Sequence, residues 1–153
     1  MAVPVDDLAA FLCGEWRLTR HMRDRRRCAH GSAFGHAWLE RRAAPVEYRE
    51  STWVHYLGFN GHAHRRHRYL IRGAGMADVL FEDGRFFHRL DLSTGRCHAR
   101  HHCGDDLYLG LFRASSLERW VSRWHVSGPA KDAVIVTLYE RLHSGTGRRR
   151  WLR

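Results

Sequence analysis

Five side chains able to ligate zinc fall within seven residues, Cys97-His98-Ala99-Arg100-His101-His102-Cys103. Thiolates and imidazoles are the usual donors of structural zinc. In an extended segment, however, Cys97, His101 and Cys103 share one face while His98 and His102 share the other. Same-face neighbours lie about 6.6–6.8 Å apart, too far to chelate one ion easily. Zinc would need a further donor from a neighbouring strand, with His62 and His64 as candidates. No CxxC or HExxH spacing occurs. No metal ligand is assigned, and zinc stays a candidate cofactor only.

A second group gathers by alternation. Tyr108, Gly110 and Phe112 share a face, as do His98 and His102, and Trp120 and Trp124. If the segments carrying them are consecutive antiparallel strands, one wall presents His88, His102, Tyr108 and Trp124 to a common hollow. Tyr48 is expected to join them. A few convergent polar groups in an apolar pocket are the usual look of a small-molecule site. The same groups would also serve as buried, mutually hydrogen-bonded structural residues. A catalytic alternative uses His102 and Asp106, which straddle a turn, as an acid–base pair. No nucleophile elbow, phosphate-cradling glycine loop or dinucleotide fingerprint supplies a reaction class. Haem is a further candidate cofactor, with His143 or His88 as axial ligand.

The run His62-Ala63-His64-Arg65-Arg66-His67-Arg68 and the stretch Arg23–Arg27 suit an anionic partner such as nucleic acid, since phosphates reward clustered cations. The formal charge of +10 points the same way. Yet among 26 Lys plus Arg the single lysine is Lys131, leaving 25 arginines. A coding bias toward arginine produces that skew without any polyanion, so nucleic acid is the lesser reading. The basic tail, residues 144–153 with Arg148-Arg149-Arg150, reads as a frayed end.

These residues need elements to position them. Apolar residues spaced at i, i+3 and i+4 behind acidic Asp6 and Asp7 predict a short helix over about residues 5–13. Beyond Gly14 the period drops to two. Val46, Tyr48, Glu50, Thr52, Val54 and Tyr56 form the longest alternating run. Trp16, Leu18, Arg20 and Met22 form another. Asn60-Gly61, Asp83-Gly84, Ser93-Thr94-Gly95, Gly104-Asp105 and Gly128-Pro129 punctuate the chain as turns, the Asn-Gly pair being the strongest hairpin signal. About 8–10 short strands joined by turns too short for crossover helices predict an all-β, antiparallel up-and-down barrel over about residues 14–143. A barrel of this size encloses one small ligand.

At 153 residues, with 44% hydrophobic and 12% aromatic side chains, the chain suits one domain with a real core. Residues 1–13 carry two aspartates and no basic stretch, so a secretory leader is not expected. No run approaches 18 apolar residues, so no membrane span is expected. Cys13, Cys28, Cys97 and Cys103 then read as free thiols in a reducing, cytoplasmic compartment.

Two sets of residues resemble known barrels. Phe11-Leu12-Cys13-Gly14-Glu15-Trp16-Arg17-Leu18 resembles the Gly-x-Trp opening of lipocalin-like (calycin-type) folds. That resemblance implies a Trp16 packed at the closed end beneath an arginine from the last strand, for which Arg141 is the match. The strings Phe81–His88, His102–Tyr108 and Trp124–Asp132 look like an uncharacterised lipocalin-like family known only as a domain of unknown function. The likeness covers most of residues 8–143 and implies a barrel with no established activity; the stretch from His21 to Arg72 matches less well.

Overall fold

The computed structural model describes residues 1–143. Helix α1 is brief, Leu8–Leu12, capped by Asp7, whose side chain accepts from Ala10 N. Ten strands follow: β1 Gly14–Asp24, β2 Ala29–Glu40, β3 Val46–Tyr56, β4 Phe59–Gly73, β5 Met76–Phe81, β6 Phe86–Asp91, β7 Arg96–Cys103, β8 Asp106–Ser116, β9 Arg119–Ser127 and β10 Asp132–Leu142. They form one antiparallel sheet in the order β6-β5-β4-β3-β2-β1-β10-β9-β8-β7. This is the all-β, nearly closed barrel with a short N-terminal helix that the alternation and turns predicted. The basic tail lies outside the described residues.

The sheet rolls up until β6 and β7 pack together, although no backbone ladder joins them among the described residues. Side chains bridge this seam. Cys97 Sγ lies 3.3 Å from Asp91 N and 3.7 Å from Arg89 O. Farther along, the His101 ring meets Phe81 at 5.4 Å and Phe87 at 5.0 Å.

The β3–β4 turn is not the Asn60-Gly61 pair expected from sequence. The register pairs Tyr56 with Phe59, so the turn is Leu57-Gly58, at φ of 46° and 78°. Two positive φ values match a type I′ hairpin, whose twist suits the flanking strands. Asn60 and Gly61 lie inside β4, where Asn60 Oδ1 accepts from Trp53 Nε1 at 2.5 Å and Gly61 leaves room for the Phe59 ring.

One end of the barrel is sealed. The N-terminal segment bonds across it through Val3 N to Ala114 O at 2.8 Å, Val5 N to Leu92 O at 3.0 Å and Leu8 N to Ala74 O at 2.6 Å. Leu8, Leu12, Trp16, Leu18 and Trp120 are buried in this floor. Trp16 Nε1 donates to Leu12 O at 2.8 Å. The Arg141 guanidinium lies 4.2 Å above the Trp16 ring and donates to Cys13 O at 3.0 Å. Cation and ring thus shield each other while the guanidinium satisfies carbonyls left over at the helix end. The opposite end, where the β3–β4, β5–β6 and β7–β8 turns gather, stays open.

Candidate functional site

Above the floor the barrel is hollow. A cavity of about 790 Å³ opens between the turns at the far end, within the size range of small-molecule sites. Strand alternation builds it. Arg20 on β1, Tyr48 and Glu50 on β3, Tyr108 and Phe112 on β8, Ser122 and Trp124 on β9, and Thr137 and Tyr139 on β10 all sit on the inward face. Gly110 opposes Trp124 in the ladder, and a Cβ there would lie 2.8 Å from the indole. The missing side chain is what lets Trp124 lie down over β8.

On β5–β6 the alternation breaks. The register slips so that Val79 faces His88 and Leu80 faces Phe86, leaving Phe87 as an extra residue. Such a bulge turns consecutive side chains to one side, and both Phe87 and His88 line the cavity. Phe87 stacks between Phe81, at 4.5 Å, and Trp124, at 5.2 Å. His67 packs on it from β4 at 5.5 Å.

A buried ion pair spans β2 along one wall of the hollow. Arg20 Nη1 and Nη2 reach the two Glu50 oxygens at 2.8 and 2.9 Å, and Nε donates to Thr137 Oγ1 at 2.9 Å. Tyr48 OH also donates to Glu50, and Tyr139 OH lies 3.1 Å from Tyr48 OH. Burial alone would raise the Glu50 carboxyl, but the Arg20 fork overrides it and holds the group down at about 2. The pair stays ionised and internally satisfied, as a buried pair must. Burial pushes Tyr48, Tyr69 and Tyr139 upward, so they remain phenols. Burial lowers His88 to about 4 and His67 in the same direction, so both imidazoles are neutral at pH 7.

The structure brings Tyr48, His88, Tyr108 and Trp124 to this cavity. It does not bring His102. On β7 the inward residues are Cys97, Ala99, His101 and Cys103, while His102 is exposed and accepts from Arg100 Nε at 3.3 Å. The imidazole in the cavity is its neighbour His101. Asp106 is taken up by Lys131 at 2.6 Å and nestles against Gly128. The expected His102–Asp106 acid–base pair is therefore not assembled: no ion pair joins them among the described residues. Cys97 sits in the seam near the floor and Cys103 at the mouth, and among the described residues no three metal-ligating side chains converge. His143 lies at the floor end of β10, exposed and paired with Glu118 at 2.9 Å, away from the cavity. The Arg/His run of β4 alternates outward and inward. Arg66 meets Glu82 at 3.8 Å and Arg68 meets Glu47 at 3.6 Å, while Arg65 and His67 turn inward.

Arg20, Glu50, Phe87, His67 and His101 were not expected in the cavity from sequence, the two histidines having been read as part of a basic run and of a zinc cluster. For the first two the signal was present: each is a charged residue at the inward step of an apolar alternation. No comparable signal marks Phe87, which depends on the bulge.

Similar folds occur among solved structures. The S-type phycobiliprotein lyase CPES from Guillardia theta aligns over 93% of this chain and 94% of its own, with a TM-score of 0.67 at 8% identity. A DUF3598 protein of unknown function from Nostoc punctiforme aligns over 92% of this chain and 51% of its own, with a TM-score of 0.65 at 14% identity. EF1p2_mFAP2b, whose structure holds DFHBI, aligns over 90% and 99%, with a TM-score of 0.51 at 11% identity. At such identities the likeness is one of fold. No curated protein matches the sequence. The match of residues 12–141 to one family settles the lineage: this lipocalin-like barrel belongs to DUF6314, a family of unknown function.

Proposed function

We propose that the protein binds a small molecule inside the barrel. The observation that carries this reading is the hollow itself: about 790 Å³ of space between a packed floor and an open mouth. Interiors of this fold size are otherwise filled by side chains at near-crystalline density. An aromatic wall with a few fixed polar groups is the composition such a site needs. The structural likeness to a phycobiliprotein lyase and to a DFHBI-bound barrel supports the same reading. Ser122, buried on the cavity wall, offers the test. Ser122→Phe should narrow the hollow and weaken uptake of the dye 8-anilinonaphthalene-1-sulfonate, with the fold intact by circular dichroism. Native mass spectrometry of freshly purified wild type should show a bound small molecule that this variant lacks. Equal dye uptake by both proteins would refute the proposal.

A further inference from the structure

We infer that His67 and His88 form a pair of hydrogen-bond acceptors selecting a flat conjugated ligand with N–H or O–H donors, its acidic end turned toward Arg65 and Arg66. The inference rests on the small-molecule reading above and deepens it.

The tautomers follow from the partners. His67 Nδ1 lies 3.2 Å from Leu80 O, and His88 Nδ1 lies 3.1 Å from Arg89 O. A carbonyl oxygen can only accept, so each ring carries its proton on Nδ1. Nε2 is then a bare lone pair, and neither Nε2 bonds a described residue. Both rings are buried, 8% and 4% exposed, and both line the cavity. Burial keeps them uncharged at neutral pH, so the lone pairs persist. Phe87 lies between them, 5.5 Å from His67 and 4.7 Å from His88, so the two acceptors flank the aromatic wall that Phe81, Phe87 and Trp124 build.

Among the other polar groups of the wall, the Tyr69 and Ser122 hydroxyls can turn to donate or to accept, whereas one set is committed within itself. Arg20, Glu50, Tyr48 and Thr137 satisfy one another. A ligand offering only acceptors would leave both imidazole nitrogens dry and unpaired, which is costly in a desolvated site. A ligand offering ring N–H groups would pair them. At the mouth two guanidinium groups are held loosely: Arg65 is 3.8 Å from a Glu50 already engaged by Arg20, and Arg66 is 3.8 Å from Glu82. Asp83, also at the mouth, is occupied by Arg85 at 2.7 Å. The cationic surplus there suits a carboxylate on the outer end of the ligand.

Two probes separate the claims. Biliverdin is a linear tetrapyrrole with pyrrole N–H donors and two propionates; oleate has the acid and no N–H. Both are titrated into the full chain, following tryptophan quenching, with the visible spectrum as a second readout for biliverdin. Biliverdin is expected to bind. His67→Phe and His88→Phe should each weaken it about tenfold, the scale of one hydrogen bond lost from a buried acceptor. His88→Gln, which keeps an acceptor oxygen, should restore most of the loss. Oleate affinity should change less than about twofold in all three variants. If His88→Phe fails to fold, His67→Phe carries the comparison. Equal losses for both probes, or no loss for either, would overturn the acceptor pair. So would oleate binding without biliverdin, or haemin binding through its iron, with a His88-dependent Soret shift, while biliverdin does not bind. Binding of neither probe would also overturn the inferred ligand class, and the small-molecule reading would fall with it only if the dye and native mass spectrometry tests fail too.

Discussion

The two ends of this barrel use the same alternation to opposite effect. At the floor, inward residues are large and apolar, and Trp16, Trp120, Leu8 and Leu12 fill the space completely under the Arg141 guanidinium. Toward the mouth, inward residues are tyrosines, histidines, small hydroxyls and one ion pair, and they leave a void. Filling stabilises through contacts and burial; the hollow half forgoes both. Stability should therefore reside in the floor, and selectivity in the upper half.

Trp16→Ala should break the contrast most severely. It removes a fully buried indole and the partner of Arg141, and truncations of this kind cost about 3–5 kcal/mol. Chemical denaturation should show a large fall in midpoint. Glu50→Ala is next: it strips Arg20 of its partner inside the barrel, and one-sided removal of a buried pair costs about 3–5 kcal/mol. Arg20→Met with Glu50→Leu should recover much of that loss, because no buried charge is then left unpaired and Arg65 is half-exposed to solvent. If the double variant is no more stable than the single, the accounting for the upper half is wrong.

Acid sharpens the comparison further. Burial depresses the folded-state imidazole of His88 to about 4, below its value of 6.5 in an unfolded chain. Between those values the unfolded state binds more protons, so stability falls as the pH drops from about 6.5 toward 4. His67 acts in the same direction. Glu50, held at about 2, adds its own loss only below about 4.5. His88→Phe should flatten the upper part of this decline, measured as thermal midpoint against pH. The smallest effect on stability belongs to Ser122→Phe, which enters empty space. Its unfolding free energy should change by less than about 1.5 kcal/mol while dye binding weakens.

Alternation along β3 was enough to place Val46, Tyr48, Glu50 and Thr52 inside, because its apolar parity is unbroken. Along β7 both parities are polar, and the His98/His102 face looked as eligible as its opposite. The small residues hold the answer: Cys97 and Ala99 fit inward, whereas Arg100, in step with His102, seeks water. The bulge at Phe87 and the turn at Leu57-Gly58 depend on long-range register. Local sequence favoured Asn60-Gly61, and ten strands closing on one another shifted the turn by three residues. The Trp16–Arg141 contact joins positions 125 apart and was suggested only by resemblance to other barrels.

The strand order has a kinetic corollary. Nine ladders link the ten strands, and eight of them join neighbours in sequence. The ninth, β1 with β10, ties residues as remote as Glu15 and Leu142. Two meanders, of six strands and of four, can each zip locally, but the ring cannot close until the ends of the chain find each other. Loop-closure entropy makes that encounter the slow event. Substitutions in the β1–β10 ladder should retard folding, whereas those confined to one meander should mainly hasten its undoing.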